Sequence, residues 1–151
     1  MNRTKPLLLV ALLLLAGKEF SAAQTAQQDF ARQLVDRQAR CWEKQDFILA
    51  AADWLPTAVL ISPEGNTPAN QMANSMKDYF KDFSNLKVTV KNVFTSPEGK
   101  KVAIEWDWAV TRKRDGKRGT SHDAIIVDLT DGKIASWREY YDPASSVEAN
   151  P

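Results

Sequence analysis

The last third of the chain carries acidic side chains that could perform acid–base chemistry. Glu139 stands in the run WREYY between Trp137 and Tyr141, and alternate side chains of a strand project from the same face. Loss of water beside two aromatic groups would favour the neutral form of this carboxyl group. A carboxyl group tuned in this way can act as a general acid or base near neutral pH. The alternative is a glutamate at the rim of the strand, paired with a nearby lysine or arginine.

Asp123 is a second candidate for acid–base catalysis. It is in phase with the apolar side chains of its own segment, which predicts that it faces the interior of the protein. Its neighbour His122 then faces the opposite side, so the two residues cannot form a dyad inside one pocket. The alternative for Asp123 is a structural role at a turn or a strand edge.

Asp107 is a third candidate, in the segment VAIEWDWAV. It shares one face with Glu105, while Trp106 and Trp108 share the other. If the acidic face is interior, the two carboxylates could share a proton or position a water molecule. If the tryptophan face is interior, the tryptophans wall a cavity and the carboxylates lie outside. The second arrangement buries fewer charges and is favoured.

The apolar periodicity predicts the elements that must position these side chains. Asp46 is a suitable cap for a second helix, and Pro56 ends it. After Phe83 the period changes from about 3.6 residues to about two. The Asp-Gly pairs at 115–116 and 131–132 are typical of two-residue type I′ turns and predict an antiparallel meander. The predicted elements are helices at 25–44, 47–55 and about 70–83, a short strand at 58–62, and strands at 86–94, 101–113, 119–129 and 133–141.

Helices followed by an antiparallel sheet indicate an α+β fold with the helices on one face of the sheet. Residues 24–143 are long enough for one compact domain with a hydrophobic core, and residues 144–151 are predicted to be a flexible tail.

The first 23 residues have the pattern of a secretory signal. Two basic residues precede an apolar run at 7–16, and small residues at 21–23 predict cleavage near Ala23. The apolar run would rise only about 15 Å as a helix, too short for a stable membrane span. We therefore expect a secreted or periplasmic protein; an uncleaved anchor is the alternative.

Composition argues against several functions. The formal net charge is +1 at pH 7, so nothing global attracts nucleic acid, and the basic residues of segment 112–118 bracket a predicted turn. Cys41 is the single cysteine, which excludes an intramolecular disulfide, and its apolar surroundings indicate an unreactive thiol. The chain has one histidine and no Cys/His cluster, so we predict no metal site and no cofactor.

The order of these elements, with the segments AADWLPTAVLISPEG and DGKI…WREYYD, resembles the nuclear transport factor 2-like superfamily. Within it the chain is similar to the SnoaL-like polyketide cyclase group, over about residues 28–143. The resemblance implies a cone in which a curved sheet wraps three helices and leaves an apolar cavity. Many members form homodimers through the convex face of the sheet, so the resemblance also implies a homodimer for this chain. On the last strand, Arg138 and Tyr140 would face outward, and the cavity-lining residues would be Ala135, Trp137, Glu139 and Tyr141.

The resemblance also weighs against two known activities. The ketosteroid isomerase branch has an aspartate base and an oxyanion-stabilising tyrosine at the positions of Ser62 and Gln38, so we reject that activity. The epoxide hydrolase branch ends in a similar run whose acid corresponds to Glu139. It also carries an Arg and an Asp two residues apart on the strand of Asp107, where this chain has no arginine until Arg112. This departure puts an epoxide hydrolase mechanism in doubt.

Five tryptophans in so short a chain indicate an aromatic-lined cavity for a small, largely hydrophobic molecule. Binding without catalysis is the leading hypothesis. One alternative is a cofactor-free isomerase, cyclase or hydrolase that uses Glu139 with Asp123 or Asp107. The other is an interaction module that docks a partner through Arg138 and Tyr140. The predicted ligand-binding residues are Trp54, Tyr79, Trp106, Trp137 and Tyr141.

Overall fold

A computed structural model describes residues 6–145 and Val147, with side chains from residue 22 to 144 and at 147. The predicted signal segment therefore lies largely outside the described side chains, and residues 146 and 148–151 of the predicted tail also lie outside. Over the described residues, no helix is both long and apolar enough to cross a membrane. The helices are α1 (Pro6–Lys44), α2 (Phe47–Ala52) and α3 (Met72–Asp82), with short 3₁₀ turns at Ala69–Gln71 and Pro143–Ser145.

Six strands form one curved sheet that is not closed into a barrel. The four-stranded antiparallel meander is confirmed, and the first strand joins it by parallel pairing with the last. The short second strand was not predicted. It pairs with the first strand and lengthens the wall of the cone. The strands are β1 (Trp54–Ser62), β2 (Gly65–Pro68), β3 (Phe83–Thr95), β4 (Lys101–Arg112), β5 (Arg118–Thr130) and β6 (Lys133–Tyr140), in the order β2-β1-β6-β5-β4-β3.

Helix α2 begins as predicted but ends earlier. The Asp46 side chain accepts a hydrogen bond from the Leu49 amide, which confirms the predicted cap. The helix ends at Ala52, before Pro56, because the chain pairs with β6 from Trp54 onward. The proline lies in a register shift of β1, where a missing amide donor costs no ladder hydrogen bond.

The two Asp-Gly pairs adopt different turns. Asp131 (φ 51°) and Gly132 (φ 73°) both have positive φ, as the predicted type I′ turn requires. In the other connection Gly116 has positive φ (70°), whereas Asp115 does not. The Gly116 amide donates to the Arg112 carbonyl, so this loop is wider and the prediction of a two-residue turn was wrong there.

The predicted flexible tail is held to the sheet at Val147. Its side chain is buried, and its carbonyl accepts a hydrogen bond from Arg112 Nη1 at 2.9 Å. A Cβ atom on Gly119 would lie only 2.5 Å from Val147 Cβ, so this approach requires glycine. Arg112, predicted to lie in a solvated turn, is itself buried and also pairs with Asp115.

The inner face of the sheet packs on α1 and α3, and a buried polar network holds α1 to the start of β1. Asp53 accepts two hydrogen bonds from Arg37 at 2.8 Å each and a third from Gln38 at 2.8 Å. Gln38 also accepts a hydrogen bond from the Trp54 indole. Because the Gln38 side chain is buried, its amide depends on these partners.

We expect Asp53→Asn to lower the free energy of unfolding by about 2 kcal/mol, because the charge partner of Arg37 is lost and one buried donor becomes unpaired. Asp36→Asn is the matched control. Asp36 pairs with Arg32 on the surface of α1, where such a pair contributes under about 1 kcal/mol. Urea denaturation of both variants measures the two effects; equal losses would contradict the structural role of the network.

Candidate functional site

A cavity of about 490 Å³ lies between the inner face of the sheet, helices α1 and α3, and the β1–β2 hairpin. Its walls are of two kinds, one aromatic and one acidic. The aromatic lining comprises Trp42, Tyr79, Trp108 and Tyr141. The acidic lining comprises Glu64, Asp78, Asp123 and Glu139.

Asp123 is the most buried charged group that faces the cavity. Its side chain projects inward with those of Ile125 and Val127, as the alternation predicted. The Trp106 indole donates a hydrogen bond of 2.8 Å to Oδ2, whereas the buried Oδ1 has no hydrogen-bond partner among the described residues. Burial raises the pKa of Asp123, although the Ser121 hydroxyl and the Trp106 indole favour the charged form. Asp123 is therefore available as a proton donor or acceptor.

Glu139 also lines the cavity, as predicted from its place between aromatic residues. It is half-buried, and the Trp137 indole donates a hydrogen bond of 2.7 Å to its Oε1 atom. The two indole nitrogens, of Trp106 and Trp137, thus each hold one carboxyl group of the cavity. Both hydrogen bonds require that the tryptophan side chains lie on the inner face of the sheet.

Three aromatic side chains form a corner at one end of the cavity. The ring of Trp42 lies at 87° to that of Tyr79 and at 75° to that of Trp108, with centroids 6.2 and 5.2 Å apart. Tyr79 and Trp108 meet at 69°, and the Trp108 indole donates a hydrogen bond of 2.8 Å to the Tyr79 hydroxyl. We call these three residues the aromatic corner. Their rings pack edge to face on one another, which fixes their orientation at this end of the cavity.

Three residues predicted to contact the ligand belong to the core instead. The rings of Trp54 and Trp137 stack at 5.9 Å, and those of Trp137 and Trp106 lie 5.5 Å apart. All three side chains are buried and none lines the cavity within the described part of the chain. Trp106 and Trp137 donate to the carboxyl groups of Asp123 and Glu139, and Trp54 stacks on Trp137. The predicted Tyr79 and Tyr141 do line the cavity.

Trp42, Trp108 and Ser121 line the cavity but are not among the predicted ligand-binding residues, although the favoured phase of VAIEWDWAV already placed Trp108 on a cavity wall. Trp108 and Ser121 share the inward phase of Trp106 and Asp123, and alternation could have found them. No comparable signal distinguishes Trp42 from the other apolar residues of its helix.

Asp107 lies on the opposite face of the sheet, outside the cavity. Its Oδ2 atom lies 2.7 Å from Lys91 Nζ, and its Oδ1 atom lies 2.8 Å from His122 Nδ1. The hydrogen bond from Lys91, followed by that from His122, lowers the pKa of Asp107. This geometry corrects the placement of Asp107 among the cavity carboxylates and confirms that the tryptophan face of β4 is interior.

The remaining sequence candidates have structural surroundings. Gln38 belongs to the buried network of Asp53, while the Ser62 hydroxyl lines the cavity and donates to the Gly65 carbonyl in the β1–β2 turn. Burial raises the pKa of the Cys41 thiol, in agreement with an unreactive residue. Within the part of the chain that the structure describes, no group of three His, Cys, Asp or Glu could hold a metal ion.

Comparison with known proteins identifies the architecture. The model of a SnoaL-like domain matches residues 35–137, and no curated protein matches the chain. A candidate polyketide cyclase from Pseudomonas putida aligns with a TM-score of 0.71 and 17% identity over 80% of this chain and 98% of the other. An LEH-like epoxide hydrolase from M. tuberculosis gives 0.67 and 16% over 81% and 90%. A nuclear transport factor 2-like protein of unknown function from Burkholderia pseudomallei gives 0.70 and 12% over 80% and 96%. At these identities the similarity shows a common fold.

The raised pKa of Asp123 predicts a pH-dependent stability. Between the pKa of the unfolded chain and that of the folded one, the native state holds a proton that the unfolded state releases, so stability falls as pH rises. Asp123→Asn removes this loss of stability, because the asparagine side chain does not titrate. We expect the free energy of unfolding of the variant, minus that of the wild type, to increase from pH 4 upward in urea denaturation.

Asp107→Asn provides a control of opposite sign. The pKa of Asp107 is lowered, so its contribution is present above the unfolded pKa and is lost as pH falls. The corresponding difference for this variant should therefore become more negative as pH rises toward the ordinary aspartate pKa of 3.8, and should stay level above it. Parallel slopes for the two variants would contradict the assigned environments.

Proposed function

The chain belongs to the SnoaL-like family, and we propose that it binds a small molecule with an apolar body in the cone cavity. The observation that carries this proposal is a cavity of about 490 Å³ in which an aromatic wall faces buried polar groups. Cavities of about 300–1,000 Å³ with this division hold small ligands, since apolar walls supply contact area and a few polar groups fix orientation. The apolar body would pack against the aromatic corner, and a polar end would meet Asp123 and Glu139.

Export and pairing into a homodimer are further proposals. The proposal of export rests on the signal-like pattern of residues 1–23. The proposal of a homodimer rests on the observation that many similar proteins dimerise. The N-terminal residue of the mature protein and its mass in solution test these two proposals.

The second candidate function is acid–base catalysis without a cofactor. It is favoured by the raised pKa of Asp123 in a cavity that also contains Glu139. The ionised Asp123 would take a proton from one atom of the substrate and return it to another atom of the same molecule. This sequence balances protons and electrons, because the carboxyl group ends in its initial state.

The binding proposal predicts that Tyr79→Ala weakens binding by about tenfold, because one face of the aromatic corner is removed. Tyr140→Ala is the matched control, since Tyr140 is 55% exposed on the last strand and does not line the cavity. Tryptophan emission measures the affinity for each responsive member of a panel of neutral aromatic and aliphatic molecules. A panel that changes neither tryptophan emission nor the melting temperature would count against the proposal.

The catalytic candidate predicts a loss in kcat of about 100-fold or more for Asp123→Asn, with a much smaller change in affinity. Asp107→Asn should leave kcat unchanged, because Asp107 lies outside the cavity. The substrate for this assay is a molecule that copurifies with the protein and is identified by mass spectrometry. Equal kcat values for the wild type and Asp123→Asn would eliminate acid–base catalysis by this residue.

A further inference from the structure

The charged side chains that line the cavity are all acidic. Glu64, Asp78, Asp123 and Glu139 contribute to the lining, and within the described part of the chain no lysine, arginine or histidine does so. Asp78 is paired with Lys81 at 2.6 Å on the surface, so the deeper Asp123 and Glu139 matter most for a bound molecule. A concave site with walls of one charge concentrates the field of that charge and attracts the opposite one.

Asp123 lacks the charge partner that another buried aspartate of this fold possesses. Asp53 and Asp123 are each 8% exposed, but Asp53 is held by Arg37 and Gln38 through three hydrogen bonds. Asp123 has only neutral donors among the described residues: the Trp106 indole donates to Oδ2 and the Ser121 hydroxyl also stabilises the charged form, while the buried Oδ1 has no hydrogen-bond partner there. An ionised carboxylate is costly to bury without a compensating charge. The chain supplies that charge to Asp53 and leaves it open at Asp123.

The nearest basic side chain along the sequence does not supply the missing charge. His122 faces the other side of the sheet, where its Nδ1 atom contacts Asp107 at 2.8 Å. Its side chain is 80% exposed to solvent, which screens its charge. Since no basic side chain of the described residues lines the cavity, a cationic partner for the ionised Asp123 would have to come from a bound molecule.

The aromatic corner favours the same kind of ligand. Trp42, Tyr79 and Trp108 pack edge to face at angles of 69–87°, so a group bound against this cluster can meet ring surfaces of different orientation. The faces of aromatic rings carry negative potential and attract cations, and rings arranged around a quaternary ammonium group are a known means of recognition. The rings also provide apolar contact for the carbon atoms attached to the nitrogen.

We propose that the cavity selects an organic cation, a quaternary or protonated amine on an apolar body. This inference rests on the proposed function and specifies its ligand class. The nitrogen lies between the aromatic corner and the carboxyl groups of Asp123 and Glu139, and the apolar body occupies the rest of the cavity. Anionic molecules of the same size are excluded by repulsion from the acidic lining.

Three probes of one shape test the charge preference. They are 3-hydroxyphenyltrimethylammonium, its neutral isostere 3-tert-butylphenol, and the anion 3-hydroxybenzenesulfonate. Calorimetric titration into the full domain at low ionic strength measures each affinity. We expect the cation to bind at least tenfold more tightly than the neutral isostere, and we expect no binding of the anion.

Variants of the cavity carboxyl groups test whether these groups cause the preference for a cation. Asp123→Asn should reduce the ratio of cation affinity to neutral affinity at least tenfold, whereas Asp107→Asn removes an equal charge outside the cavity and should preserve the ratio. Glu139→Gln serves as a second cavity variant if Asp123→Asn does not fold.

The remaining outcomes contradict different parts of the proposal. Neutral binding as tight as cation binding overturns the charge preference and leaves the binding of apolar molecules intact. A preference that survives both cavity variants, or disappears in Asp107→Asn, overturns the assignment to Asp123 and Glu139. If none of the three probes binds, the inference is overturned, and the panel of neutral molecules decides the proposed function independently.

Discussion

The site depends on the hydrogen bond from the Trp106 indole to Asp123. This bond holds a carboxyl group among apolar side chains, where an unpaired charge would be costly. It forms because the antiparallel register pairs these two residues directly across β4 and β5, with both side chains on the inner face. Trp106 is fixed in turn by its contact with Trp137, which donates to Glu139. One buried aromatic column therefore positions both carboxyl groups of the cavity.

The two faces of the sheet give similar residues opposite properties. Asp107 and Asp123 lie on adjacent strands, yet the pKa of the first is lowered by Lys91 and His122, while burial raises that of the second. The difference follows from alternation, since the outer face offers water and basic partners and the inner face offers indole rings. A cavity lined by this inner face therefore favours a ligand that carries a positive charge.

The sequence predicted what depends on local periodicity. Alternation placed Asp123 inside, and the change of period located the four-stranded meander. Alternation alone left the face of Asp107 open, and Asp107 remained a candidate for catalysis until the structure placed it outside the cavity. The sequence could not show how deep each inward residue would lie, so Trp106 was assigned to the cavity although Trp108, two residues further along the same face, lines it. Depth depends on packing against α1 and α3, which is set by long-range contacts. The pairing that creates β2 and the contact at Val147 also depend on distant residues.

The buried environment of Asp123 is tested most directly by a ¹³C NMR titration of its carboxyl group, assigned by the absence of its signal in Asp123→Asn. We expect a midpoint above 3.8, the ordinary pKa of aspartate, and a shift to lower pH when 3-hydroxyphenyltrimethylammonium occupies the cavity. A midpoint at or below the ordinary value that does not respond to the cation would contradict both the buried environment and its proposed ligand.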